Sequence, residues 1–221
     1  MNPLRVICPM ALFVAAIAGM SVAAEQPSPA VTDEEFAALV MEMDDAQDTL
    51  LGLISGMTDE QWTFKQNPDR WSIAECVEHI VRTEQAVLSG IQATMAGPPD
   101  PEWYSRTNGK NELVRQSVLT RNPGGAGSPF KAPYEVSPTE NWDRATGIRE
   151  FYDSHGAVRA YIETMPREIK DHTMMNPFPQ IGWMNLHDWL TLTALHIRRH
   201  SMQIEEVQQD PNYPKGNKST D

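Results

Sequence analysis

Four long segments repeat apolar residues at spacings of three and four, the signature of amphipathic helices. The first runs from Thr32 to about Ile54, with Phe36, Leu39, Val40, Met43, Leu50 and Ile54 on its apolar side. Thr32 and Glu35 stand in capping-box register at its start. The second opens with WSIAE at 71–75, where Ser72 and Glu75 repeat that register. It runs to about Met95, before Gly97-Pro98-Pro99. The third starts near Trp142 and ends at Pro166, with Ile148, Phe151, Tyr152, Val158, Ile162 and Met165 on one broad face. The fourth runs from Leu186 to about Gln209, capped by Asn185 and closed by Pro211 and Pro214. No strand is predicted between them, and no internal repeat is present. The pattern predicts an all-α fold, an antiparallel up-down-up-down four-helix bundle.

The connection between the second and third helices, 97–140, is far longer than a bundle loop requires. It is rich in Pro, Gly and Asn, and residues 110–121 have the character of a short helix. Between Ser105 and Lys131 it carries Arg106, Lys110, Arg115, Arg121 and Lys131 against a single acid, Glu112. The simpler reading is a surface excursion docked on an acidic body. The functional one is a lid or substrate wall that favours anions.

The N-terminus changes the accounting. Arg5 precedes an apolar run, Val6–Met20, followed by Val22-Ala23-Ala24, the layout of a secretory signal peptide. The run is shorter than the ~20 residues of a membrane helix. Residues 1–24 are therefore expected to be removed on the way to the periplasm or exterior, leaving a bundle domain at 25–210 and a polar tail at 211–221. No stable membrane insertion is expected after cleavage. Cys76 is then the one cysteine left of two, and stability must come from packing rather than from an internal disulfide. The formal charge of the whole chain is −12. Residues 25–60 hold no Lys or Arg, which argues against nucleic acid or an anionic membrane as partner. A homodimer is compatible with this composition.

Candidate chemistry gathers in ALHIRRHSMQI, 194–204. Positions 186, 189, 190, 193, 196, 197, 200, 204 and 207 form the apolar stripe of the fourth helix, and His196 and His200 occupy its middle. Side chains at i and i+4 lie one above the other, so two imidazoles can converge there. Such a pair is read either as two hydrogen-bonded core histidines or as metal ligands. His79 lies on the inward stripe of the second helix with Cys76, Ile80, Thr83 and Val87. Three inward histidines from two helices would supply three neutral nitrogens and leave coordination positions open, as in catalytic rather than structural zinc sites.

The segments WSIAECVEHIVRTE (71–84) and LHDWLTLTALHIRRHSMQIEEV (186–207) resemble the DinB-like metal-binding four-helix bundles. That family includes the bacillithiol and mycothiol S-transferases. The resemblance spans roughly residues 33–208, and it implies a three-histidine metal site at His79, His196 and His200. The long 97–140 insertion and the export signal depart from the simplest members and from a cytosolic thiol substrate.

Other residues carry two readings each. Glu75, one turn before His79, is a helix cap or a catalytic base. Cys76 is a small core residue, or a soft ligand or nucleophile. His155, on the inner face of the third helix, is a satisfied core histidine or a fourth ligand. Glu78 and Glu84 read as helix-surface acids, Arg198 and Arg199 as a solvated face, and His172 and His187 as solvated residues near helix ends. Trp62, Trp71, Trp142 and Trp189 read as bundle packing. No nucleophile elbow, phosphate loop or dinucleotide fingerprint is present.

The sequence therefore predicts an exported protein that binds a divalent metal, zinc first and nickel second. It would act as a metal-dependent hydrolase or thiol S-transferase on a small molecule, an anionic one if the basic segment forms a wall. The alternative is a non-catalytic metal- or ligand-binding bundle.

Overall fold

The computed structural model describes residues 27–120 and 131–216. The expected leader at 1–24, Arg121 and the last five residues of the tail lie outside the described residues. The four long helices form as the periodicity requires: α1 (Asp33–Ile54), α3 (Ile73–Met95), α6 (Arg144–Thr164) and α7 (Leu186–Gln208). Both expected capping boxes close, Thr32 with Glu35 and Ser72 with Glu75. Asn185 caps α7 by accepting from the Asp188 N–H at 2.9 Å. The third helix begins two residues later than expected, because Asp143 takes the cap by accepting from the Thr146 N–H. A short α2 (Asp59–Thr63) carries its own capping box, Thr58 with Gln61.

The bundle stands, but the strict alternation of directions does not. α3 and α6 run parallel. Gly147, early in α6, faces Val77, early in α3, and about two turns further along both helices Ser154 and His155 meet Glu84. α1 and α7 are parallel too: Gln208 donates to the Leu53 carbonyl at their C-terminal ends. Near their N-terminal ends Lys170 pairs with Glu35, and the Leu186 N–H reaches the His172 carbonyl. α3 opposes α7, since Arg70 just before α3 meets Glu206 near the end of α7, and α6 opposes α1, since the Val31 N–H just before α1 reaches the Arg167 carbonyl just after α6. The order is therefore up-down-down-up, and α3 stands diagonally from α1. The physical reason lies in the 97–140 connection, which is long enough to carry the chain back to the starting end before α6 begins.

That connection is largely built. It contains α4 (Trp103–Thr107) and α5 (Lys110–Leu119), the second matching the helix expected at 110–121. Its basic residues are mostly committed: Arg115 pairs with Glu42 on α1, Arg106 with Asp100 and Glu102, and Lys110 donates to the Ile181 carbonyl. The excursion thus docks on the acidic body. A second correction concerns strands. β1 (Thr173–Met175) and β2 (Trp183–Asn185) pair antiparallel, Met174 opposite Met184. Three-residue strands complete too few periods for alternation to show in sequence. The first residues after α7 also pack: Tyr213 meets Phe64 edge-on, and Pro214 accepts from Gln61.

The core is continuous between the helices. Leu39, Met43, Ala46, Leu50 and Ile54 of α1 are buried, as are Ile73, Val77, Ile80 and Ile91 of α3 and Leu190, Ile197 and Ile204 of α7. Each full burial of a large aliphatic side chain stabilises by roughly 1.5–3 kcal/mol. Among the described residues no helix is long and apolar enough to cross a membrane.

Two glycines of α6 test the parallel packing. A Cβ on Gly147 would lie 2.6 Å from the Trp62 ring, which is buried and pinned by its Nε1–H to the Trp142 carbonyl. A Cβ on Gly156 would meet nothing within 4 Å. Gly147→Ala should destabilise by about 1–3 kcal/mol in urea unfolding through overpacking. Gly156→Ala should stabilise by roughly 0.5–1 kcal/mol, the ordinary helix gain. Shifts of the same sign would contradict this packing.

Candidate metal centre

α3 and α7 cross with their polar inward residues level. His79 Nε2 and His200 Nε2 each lie 3.1 Å from His196 Nε2, so three ring nitrogens gather at one point. His79 and His200 are buried, and His196 is partly open. Trp71, at the entrance to α3, packs its ring 4.8 Å from that of His79 and 6.0 Å from that of His200.

The outer nitrogens fix which way the lone pairs point. His79 Nδ1 donates to the Val136 carbonyl at 2.7 Å, and His200 Nδ1 donates to Gln203 Oε1 at 3.1 Å. Both rings therefore present an unprotonated Nε2 to the centre. At most one hydrogen, on His196, remains to serve two nitrogen–nitrogen contacts. Lone pairs facing each other at that distance repel, and a cation between them removes the conflict. Two ligands at metal–nitrogen bonds of ~2.0–2.1 Å in a tetrahedral site stand about 3.4 Å apart. The observed 3.1 Å is a few tenths of an ångström short of that. The three histidines fit a divalent ion and could hold one.

Electrostatics favour neutral, ligating rings. Burial pushes His79 down to about 4, against a smaller opposing effect of its bond to Val136. Burial holds His196 well below the ordinary histidine range, helped by the charges of His79 and Arg199.

The site opens on a cavity of about 670 Å³. Its far wall is apolar, with Val118 from α5, Phe178 and Ile181 from the hairpin loop, and Trp189 and Leu192 from α7. The returning segment of the long connection, Lys131–Ser137, contributes much of another side. The insertion is thus both docked on the body and part of the cavity wall. Thr83, one turn beyond His79, lines the cavity with a buried hydroxyl that makes no hydrogen bond.

The structure brings together all three histidines read from the sequence, but not Glu75. One Glu75 oxygen accepts the Ser72 N–H at 2.7 Å and the other pairs with Lys65 at 2.9 Å, so Glu75 is a cap, away from the cavity lining. Cys76 is buried in the core. His155 lies between α3 and α6, donating from Nδ1 to Glu84 at 2.9 Å, with no hydrogen bond at its buried Nε2. It is not with the three ligands.

Several expectations of solvated residues fail. Glu78 and Glu84 are each 1% exposed, because the parallel α6 and the end of the insertion cover that side of α3. His172 and His187 are buried, His172 with its ring nitrogens on Asp171 and the Gly97 carbonyl. Arg199 closes α5 by donating to the Val118 and Thr120 carbonyls. The sequence reading missed Val136 and Gln203 as partners of the ligands and Trp71 as a wall of the site. Gln203 alone had a local signal, three residues beyond His200.

The lowered histidines set a pH dependence for the metal-free protein. The native state resists protonating His79 until about pH 4, whereas the unfolded chain takes up that proton near 6.5. The unfolded state therefore binds more protons between those values, so the stability that the neutral His79 ring contributes falls as pH drops from 6.5 towards 4 and then levels off. Urea unfolding should show wild type losing stability relative to a His79→Gln variant across that window. A pH-independent difference would contradict the buried, neutral ring.

The protein YuaE of Bacillus subtilis, itself described as uncharacterized, is 20% identical over 158 residues, 71% of this chain and 88% of its own length. YfiT from Bacillus subtilis, a solved structure described as a probable metal-dependent hydrolase with an unusual four-helix bundle topology, aligns with a TM-score of 0.47 at 14% identity. That alignment covers 83% of this chain and 91% of YfiT. Residues 42–204, which contain all three histidines, match the DinB superfamily, and the chain belongs to that superfamily.

Proposed function

We propose that this is an exported metal-dependent enzyme, with a divalent ion held by His79, His196 and His200. The observation that carries the reading is the position of the three Nε2 atoms, converging on the side of a cavity large enough for a small molecule. Three neutral nitrogens leave a coordination position for water or substrate and do not cancel the charge of the ion. Zinc suits this donor set first, and nickel, which also accepts imidazole, second. When bound, the ion supplies Lewis acidity that makes a water or a thiol nucleophilic near neutral pH. Water as nucleophile gives hydrolysis; a thiol gives S-transfer.

The protein's own residues do the rest. His79 and His200 are held in one tautomer by Val136 and Gln203. Trp71 excludes water from the faces of both rings. The apolar wall favours a substrate with an apolar body, and Lys131, Arg70 and Arg199 on the lining outnumber Asp69 and favour an anionic group on it, although Arg70 also pairs with Glu206 and Arg199 donates to the Val118 and Thr120 carbonyls. The Thr83 hydroxyl is placed to bond a polar substituent.

Each of His79→Ala, His196→Ala and His200→Ala should lose most bound zinc by elemental analysis, because two ligands hold an open site poorly. Glu75→Gln and His155→Ala should keep it. Folded histidine variants with wild-type metal would sink the reading. The non-catalytic alternative is separated by loading the protein with cobalt(II) and adding thiocyanate. An open position changes the visible spectrum, and a closed site leaves it unaltered.

A further inference from the structure

The insertion returns to the bundle at a buried carboxylate next to a ligand. Glu78 is 1% exposed, yet its oxygens are fully used. Oε1 accepts the Thr139 N–H at 2.6 Å and the Glu140 N–H at 3.0 Å, and Oε2 lies 3.1 Å from the same Glu140 nitrogen. Arg82, one turn on, donates to Glu78 Oε1 at 2.9 Å and to the Thr139 hydroxyl at 2.6 Å. Only three residues before Thr139 stands Val136, whose carbonyl receives the His79 Nδ1–H. Val136 ends a 3-10 turn, Tyr134–Val136, closed by its own N–H to the Pro133 carbonyl and by the Ser137 hydroxyl to the same oxygen. A compact turn is thus tied at one end to Glu78 and at the other to the imidazole of His79.

We propose that Glu78 is a positioning residue for the metal site: it clamps residues 136–140 so that the Val136 carbonyl fixes the ring and tautomer of His79. The inference rests on reading the three histidines as ligands. Adjacent residues on α3 project in different directions, so Glu78 reaches the strap without touching the centre. The arrangement closes a loop of contacts, from α3 through Glu78 to the strap and back to α3 through His79. Burying a carboxylate here is tolerable only because three donor groups meet it, the Thr139 and Glu140 N–H groups and the Arg82 guanidinium. Without Glu78 the strap keeps its own short turn and the Arg82 bonds to the Thr139 hydroxyl and Glu140, and loses both backbone anchors that set the Val136 carbonyl over His79 Nδ1. His79 then becomes free to rotate or to carry its hydrogen on Nε2, where it blocks ligation. Loss of such an outer partner weakens metal binding by about 10–100-fold.

The test uses the full chain without its leader and zinc itself as probe, with dissociation constants from chelator competition. Glu78→Ala should weaken zinc about 10–100-fold. Glu78→Gln should stay within about threefold of wild type, since its amide oxygen still accepts from both backbone N–H groups. Thr139→Pro removes one clamping donor from outside the helix and leaves Glu78 in place; it should also weaken zinc, and it decides the matter if Glu78→Ala does not fold. The signature that a merely structural role would not move is the ¹⁵N spectrum of metal-free His79. It should report the Nδ1–H tautomer in wild type and Glu78→Gln, and a mixture in Thr139→Pro. Wild-type zinc affinity in Thr139→Pro and in folded Glu78→Ala, with His79→Ala binding none, overturns the clamp alone. An equal loss in Glu78→Gln would also overturn it, by making charge rather than hydrogen-bond geometry the cause. A wild-type protein that takes up no zinc removes the three-histidine reading, and the clamp with it.

Discussion

Three imidazole nitrogens aimed at one point inside a protein repel one another unless something positive stands among them. That constraint organises this molecule. The hydrophobic stripes of α3 and α7 bring the two helices together, and the same stripes carry His79, His196 and His200 to within hydrogen-bonding distance. Burial then suppresses the protonated forms of His79 and His196, which would be the other way to add positive charge. The bonds to Val136 and Gln203 spend the Nδ1 hydrogens elsewhere. Each feature removes an escape from lone-pair repulsion, and the three nitrogens together could hold a cation.

The topology serves the same centre. An alternating bundle would join α3 to α6 by a short loop at their adjacent ends. Here the two helices are parallel, so the chain must travel the length of the bundle between them. It uses that length to place α5 beside α7 and to lay residues 131–137 along the cavity at the histidines. The hairpin before α7 supplies the opposite wall through Met174 and Ile181, with Trp189 donating to the Met174 carbonyl. The cavity is made of connections, and the ligands sit on rigid helices. Such a division lets the cavity wall change without disturbing the histidines on the helices.

What could be read from the sequence follows from the range of each interaction. The long helices were legible because caps and apolar spacing are local, and His196 and His200 because four residues make one helical turn. His79 was legible because its neighbours Cys76, Ile80 and Thr83 share a stripe. The helix directions were not, since they depend on where a long connection runs. Glu78 and Glu84 looked like surface acids because their cover arrives from Thr139, Glu140, Ser154 and His155, far along the chain. The Val136 carbonyl had no signal of any kind, since every residue carries one. The hairpin, with three residues in each strand, was too short for periodicity to reveal.

The central claim concerns a set of three ligand atoms, and X-ray absorption at the zinc edge counts such atoms directly. The zinc-loaded protein should show only light scatterers at about 2.0–2.1 Å, with the outer-shell pattern of three imidazoles. A scatterer at about 2.3 Å, the distance of a thiolate sulfur, or an outer shell of fewer than three imidazoles would contradict the account.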